Sequence, residues 1–111
     1  MNINDFNEQR KVLNNLMSEN DEFFNEFGQL DNKIYIAGAI PQKYKELTGL
    51  AISVINKCEE CILYHLQNCI AEKASKYEII EAIKIAVIGG GSLIYPSARF
   101  AFKAMKKMEI I

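Results

Sequence analysis

An all-α fold, a bundle of about six helices, is what the sequence predicts, and three observations predict it. Apolar residues recur three and four apart through most of the chain. Capping residues and acidic first turns stand in front of several of these runs. No alternation of period two, the mark of a half-buried strand, lasts more than a few residues. The 111 residues suit a single domain, expected to span 1–111. Half of them are apolar and the net charge is −1, which excludes a disordered chain and leaves no basic footprint for nucleic acid.

Asn4 can cap a first helix, roughly 5–18, in which Phe6, Val12, Leu13, Leu16 and Met17 share a face. Asn20-Asp21-Glu22 offers a cap and an acidic first turn to a second. There Phe23, Phe27, Leu30, Ile34 and Ala37 form one stripe, expected to pack in the core, with Gly38 as the stop. Pro41 suits the first turn of a third helix, roughly 41–56, whose buried face is Leu47, Leu50, Ala51, Val54 and Ile55. A fourth runs from about 59 to 73. Ser75-Lys76-Tyr77-Glu78 is a capping-box pattern opening a fifth, roughly 76–88, with Ile79, Ile80, Ile83, Ala86 and Val87 inward. Gly89-Gly90-Gly91 should end it by a close-packed break, since no phosphate-loop pattern surrounds the glycines. The last helix, roughly 92–109, carries Phe100, Phe102, Met105 and Met108; Pro96 must kink it or mark its first turn.

Reactive side chains concentrate in Cys58-Glu59-Glu60-Cys61-Ile62-Leu63-Tyr64-His65, which holds two of the three cysteines and the only histidine. On a helix Cys58, Cys61 and His65 lie three and four apart, hence on one face. Asn56-Lys57 can break the preceding helix, putting Cys58 at or just before a helix start, where the dipole favours a thiolate. Cys61 gains less from the dipole but has His65 one turn on. The two sulfurs thus have different activators, as one attacking and one resolving thiol would need. Cys69 shares this face about 12 Å beyond Cys61, too far for a disulfide, and reads as a buried structural thiol. Zinc is disfavoured because Cys58 and His65 are about 10 Å apart in rise, more than two bonds of about 2 Å to one ion can bridge.

Glu46, twelve residues before Cys58, together with Cys58-x-x-Cys61-x-x-x-His65, resembles the active-site signature of the alkylhydroperoxidase D-like, carboxymuconolactone decarboxylase superfamily in its redox branch. The resemblance runs from Pro41 to Met105, roughly 60% of the chain, and takes in Lys45-Glu46-Leu47 and the apolar helix ending at Gly91. It implies the alkylhydroperoxidase D-like fold, assembly as a trimer or hexamer, and catalytic roles for Glu46, Cys58, Cys61 and His65. By helical pattern alone Glu46 lies at the edge of its stripe and could be solvated; the resemblance makes it a partly buried general base. Some members carry a second histidine just before the second cysteine. Here that residue is Glu60, so a relay needing two imidazoles is not available.

The function expected is a thiol-dependent antioxidant enzyme that reduces a small peroxide or the disulfide of a partner peroxiredoxin. No bound cofactor or metal is expected; an external dithiol, lipoyl or thioredoxin-like, must restore the pair. Alternatives are a decarboxylase or lactone-processing enzyme of the same superfamily, which generally lacks the cysteine pair, and a non-enzymatic oligomeric redox sensor. The other partners expected are further copies of the chain, with no nucleic acid and no membrane. No window is read as apolar for the roughly 20 residues of a membrane span. Met1-Asn2-Ile3-Asn4-Asp5 lacks the regions of a secretory signal, so a cytoplasmic location, where thiols are kept reduced, is expected.

Overall fold

The computed structural model describes residues 1–111 and contains helices and no strands. Six α-helices follow in order: α1 Ile3–Asn20, α2 Glu22–Tyr35, α3 Gln42–Ile55, α4 Glu59–Ala71, α5 Lys76–Gly90 and α6 Tyr95–Lys107. A 3-10 turn, Gly91–Ile94, separates the last two. The chain divides into two compact units, Met1–Ile36 and Ala37–Ile111.

In the first unit α1 and α2 pack on each other. The cap of α1 is Asn2 rather than Asn4: its side chain accepts from the Asp5 amide at 3.1 Å, so the helix starts two residues earlier than expected. Asp21 caps α2 by accepting from the Phe23 amide at 2.9 Å. α2 stops at Tyr35, before Gly38, because Ile36 is already extended. Neither helix buries a residue. The stripe expected in the core is exposed, Phe23 and Phe27 by 61%, Leu30 by 58% and Ile34 by 60%. Two helices cannot cover both their apolar faces without a third layer.

The second unit holds the core. α3 packs against α4 and α5, and α4 against α6. Leu50, Val54, Ile62, Leu66, Ile79, Ala86, Ala101 and Met105 are fully buried; each large aliphatic among them gains about 1.5–3 kcal/mol on leaving water. The pattern misplaces a few residues: Ile55 and Phe102 are exposed, while Ile80 and Val87 are only half-buried. The capping box forms as predicted, with the Glu78 amide donating to Ser75 Oγ at 3.1 Å and the Ser75 amide to Glu78 Oε1 at 2.9 Å. Lys43 Nζ reaches Glu78 Oε2 at 3.0 Å and ties the start of α3 to that of α5.

α5 continues through Gly89 and Gly90 and breaks at Gly91, whose φ of 72° suits glycine. A Cβ on Gly90 would stand 2.8 Å from the Ile94 side chain, so the break does pack tightly. Pro96 lies in the first turn of α6, one of the two outcomes predicted for it. Contrary to the expectation of no candidate span, Lys76–Lys107 is one helical stretch long and apolar enough, by length and composition, to cross a membrane. Ile79, Ile83, Ala98, Ala101 and Met105 within it are buried in the core, whereas Ile85, Ile88 and Leu93 are exposed.

Candidate active site

The site is built where α3 hands over to α4. Lys57 adopts φ 57°, the left-handed conformation that stops a helix. The Lys57 amide then bonds the Val54 carbonyl and the Cys58 amide the Ser53 carbonyl, both at 3.1 Å, the pair of bonds of a Schellman stop. This turn delivers Cys58 as the residue capping α4, with extended backbone. Its Sγ accepts from the Cys61 amide at 3.2 Å, the bond a Ser or Asp cap would make through oxygen. Amides at this end of the helix carry partial positive charge, which favours a negative sulfur.

Cys58 and Cys61 form a disulfide, with an S–S distance of 2.07 Å and Cα atoms 5.2 Å apart. Both residues are half-buried. Cys69 is reduced and fully buried. Burial pushes its thiol up to about 12, with the negative charges of Glu46 and Glu78 adding to the shift. A thiol so held is not a nucleophile at neutral pH.

One turn below Cys61, the ring of His65 enters the interior and meets Glu46 from α3. Nδ1 of His65 and Oε1 of Glu46 are 2.9 Å apart, and the two residues are 9% and 2% exposed. Glu46 is therefore more deeply buried than the partial burial expected. An ionised carboxylate only accepts, so Nδ1 must carry the proton and donate to it. In that tautomer of the neutral ring the lone pair is on Nε2. The Tyr64 ring meets the imidazole edge-on at 5.1 Å between centroids. No group of three or more His, Cys, Asp or Glu side chains is arranged to hold a metal ion.

Of the four predicted residues, Glu46 lies on α3, Cys58 caps α4, and Cys61 and His65 lie on α4. The structure joins them as two bonded pairs, Cys58 with Cys61 and Glu46 with His65. The helix break expected at Asn56-Lys57 is present, but the sequence pattern did not foretell that Lys57 makes it in the left-handed conformation, which only a glycine or asparagine would have announced.

Residues 21–107 match the model of the carboxymuconolactone decarboxylase family. The chain belongs to this family. A carboxymuconolactone decarboxylase family protein of Thermotoga maritima, for which a part in the antioxidative response has been suggested, superposes with a TM-score of 0.89 at 38% identity, over 95% of this chain and 90% of that one. Another family member, from Legionella pneumophila in its apo form, gives a TM-score of 0.84 at 26% identity, over 95% of both chains. An uncharacterized protein of Cupriavidus necator is 31% identical over 67% of this chain; the match spans 63% of that relative's length. The family and the all-helical fold agree with the resemblance drawn from the Cys-x-x-Cys signature.

Proposed function

We propose that this protein is a thiol-dependent reductase of the carboxymuconolactone decarboxylase family, acting on a small peroxide or on the disulfide of a partner peroxiredoxin. The observation that carries the reading is a redox-capable cysteine pair at a helix N-terminus, one turn from an imidazole held by a buried carboxylate. The antioxidative role suggested for the Thermotoga maritima relative points the same way.

In the reduced enzyme His65 Nε2 accepts the Cys61 thiol proton while Glu46 fixes the ring's tautomer and offsets the charge of the imidazolium. The Cys61 thiolate attacks the terminal oxygen of a peroxide ROOH. The O–O bond breaks, an S–O bond forms, and the alkoxide takes the proton from His65 to leave as ROH. Cys61 is now a sulfenic acid. The Cys58 sulfur attacks it and expels water, giving the Cys58–Cys61 disulfide. An external dithiol, lipoyl or thioredoxin-like, returns both thiols and is itself oxidised to a disulfide. With a peroxiredoxin disulfide as substrate, Cys61 attacks sulfur instead and Cys58 resolves the mixed disulfide. A reducing, cytoplasmic setting would keep the cycle supplied.

The test is turnover of the reduced protein with one equivalent of peroxide and an excess of dithiol, with thiols mapped by mass. The reading requires peroxide or peroxiredoxin disulfide to be consumed and Cys58 and Cys61 to be linked in the absence of dithiol. Carbon dioxide released from a muconolactone would replace it with the decarboxylase. A redox-dependent change of mass without turnover would replace it with a sensor.

A further inference from the structure

We infer that Tyr64 is a positioning residue of this site: its ring holds the His65 imidazole in place from α4, as Glu46 holds it from α3. The inference rests on the reading of His65 as the base for Cys61, and goes beyond it by giving that base a second support. With one histidine in the chain, no other imidazole can take over when this one drifts.

Tyr64 stands where the helix pattern asks for no large ring. At about 100° per residue, Ile62, Leu66 and Cys69 point to within about 35° of one direction. All three are fully buried. Tyr64 stands about 165° from that direction, on the outward side of α4, and is nevertheless half-buried. His65 follows it, about 100° further round. Adjacent residues on a helix do not ordinarily face each other. Here the two ring centroids are only 5.1 Å apart, with their planes at 68°. That separation and angle are those of an edge-to-face aromatic pair, so the two side chains converge instead of diverging.

The imidazole needs this contact because its other support acts at one atom. The bond between Nδ1 and Glu46 Oε1, 2.9 Å long, fixes the tautomer and one nitrogen. A ring held at one nitrogen can still swivel about it. A base that drifts by about 1 Å can lose about 100-fold in rate. A second ring packed against the imidazole removes much of that freedom. Cys61 lies one turn before the pair, with Tyr64 about 60° to one side of it and His65 about 40° to the other. The support therefore comes from the outward flank, and the contact is ring to ring. The ring, not the phenol hydroxyl, is the working part.

The test follows Cys61 in the reduced full-length protein, labelled with iodoacetamide and resolved by mass. Tyr64→Leu should slow it about 2- to 12-fold at pH 7, the range an aromatic pair supplies beyond its burial. The loss should fade at pH 9, where the thiol ionises unaided. Tyr64→Phe keeps the ring and should restore the rate. Added to His65→Gln, Tyr64→Leu should slow Cys61 no further, because a residue that acts through the imidazole has nothing left to act on. A merely structural Tyr64 would slow the thiol in both backgrounds and at both pH values, and that result would overturn the inference. A wild-type rate in Tyr64→Leu beside a slow His65→Gln would overturn it while leaving the proposed function standing. A slow Tyr64→Phe would overturn it by moving the role to the hydroxyl. A wild-type rate in His65→Gln would bring down the proposed function, and this inference with it. One measurement needs no variant: His65 supplies the only imidazole signals in a proton NMR spectrum. They should show cross-peaks to the Tyr64 ring protons, and their absence would also overturn the inference.

Discussion

The two ends of α4 carry the same residue type in opposite states. At the N-terminus Cys58 and Cys61 are half-buried, bonded to each other and touched by a helix-end amide. Eight residues on, Cys69 is fully buried, reduced and pushed up to about 12. Glu46 bears on both ends. Its charge adds to the burial that raises the Cys69 thiol, whereas toward the motif it is bonded to His65. The difference teaches that a cysteine's chemistry here follows from its place along one helix: helix-end amides at one end, desolvation and nearby carboxylate charge at the other.

The sharpest way to break this comparison is to remove the sulfurs one at a time. Cys58→Ser or Cys61→Ser should abolish the peroxide-driven intramolecular disulfide completely, while Cys69→Ala should form it at the wild-type rate. Mass mapping after one equivalent of peroxide reads all three.

Next in size is the core that hides Cys69. Leu66 is fully buried on α4, and Leu66→Ala should cost about 2–5 kcal/mol. If Cys69 reacts only when the helix layer opens, its labelling by iodoacetamide should accelerate at least about 30-fold, in line with the lost stability. Reduced Cys58 and Cys61 should barely change. Equal acceleration at all three thiols would erase the distinction between the ends.

A smaller effect concerns the start of α5, which Lys43 joins to α3. The Glu78 carboxyl is held below its ordinary 4.5, first by the Ser75 backbone N–H and then by Lys43. A lowered carboxylate stabilises the fold above its unfolded value and loses that contribution as pH falls through the folded one. The gap in Tm between wild type and Glu78→Gln should therefore be open at pH 7 and close progressively as the pH falls below 4.5. The smallest effect belongs to Lys57. Glycine removes the cost of its left-handed backbone, so Lys57→Gly should raise stability by no more than about 1 kcal/mol and leave the disulfide intact, as thermal melts of the oxidised protein would read.

Much of the fold was legible because caps and stripes are local signals. Ser75 and Glu78 announced α5, and Pro96 a first turn, from side-chain chemistry that acts within four residues. The cysteine pair was legible for the same reason. Glu46 was not: it sits one position off the α3 stripe, nineteen residues from His65, and only the family spacing suggested their meeting. Its near-complete burial depends on how α3 crosses α4, which no periodicity encodes. The α2 stripe misled in the opposite direction. A helix face has the same period whether it meets its own core or another surface, so Phe23, Phe27, Leu30 and Ile34 read as core and stand exposed.

The central claim is that Glu46 and His65 act as one unit on the motif thiols, and a double-mutant cycle on alkylation tests it most directly. Glu46→Gln, His65→Gln and the double variant are reduced and labelled with iodoacetamide at pH 7 and pH 9, and Cys58 and Cys61 are resolved by mass. The account predicts that each single change slows Cys61 at pH 7, toward the roughly 10²–10⁴-fold typical of a general base. The double change should be little worse than either, because coupled groups do not add. Both singles should recover much of the rate at pH 9, where a thiol of ordinary pKa, about 8.5, ionises unaided. Wild-type rates for both thiols in the single variants at pH 7 would contradict it, leaving Glu46–His65 a buried structural pair and Cys58–Cys61 without its base.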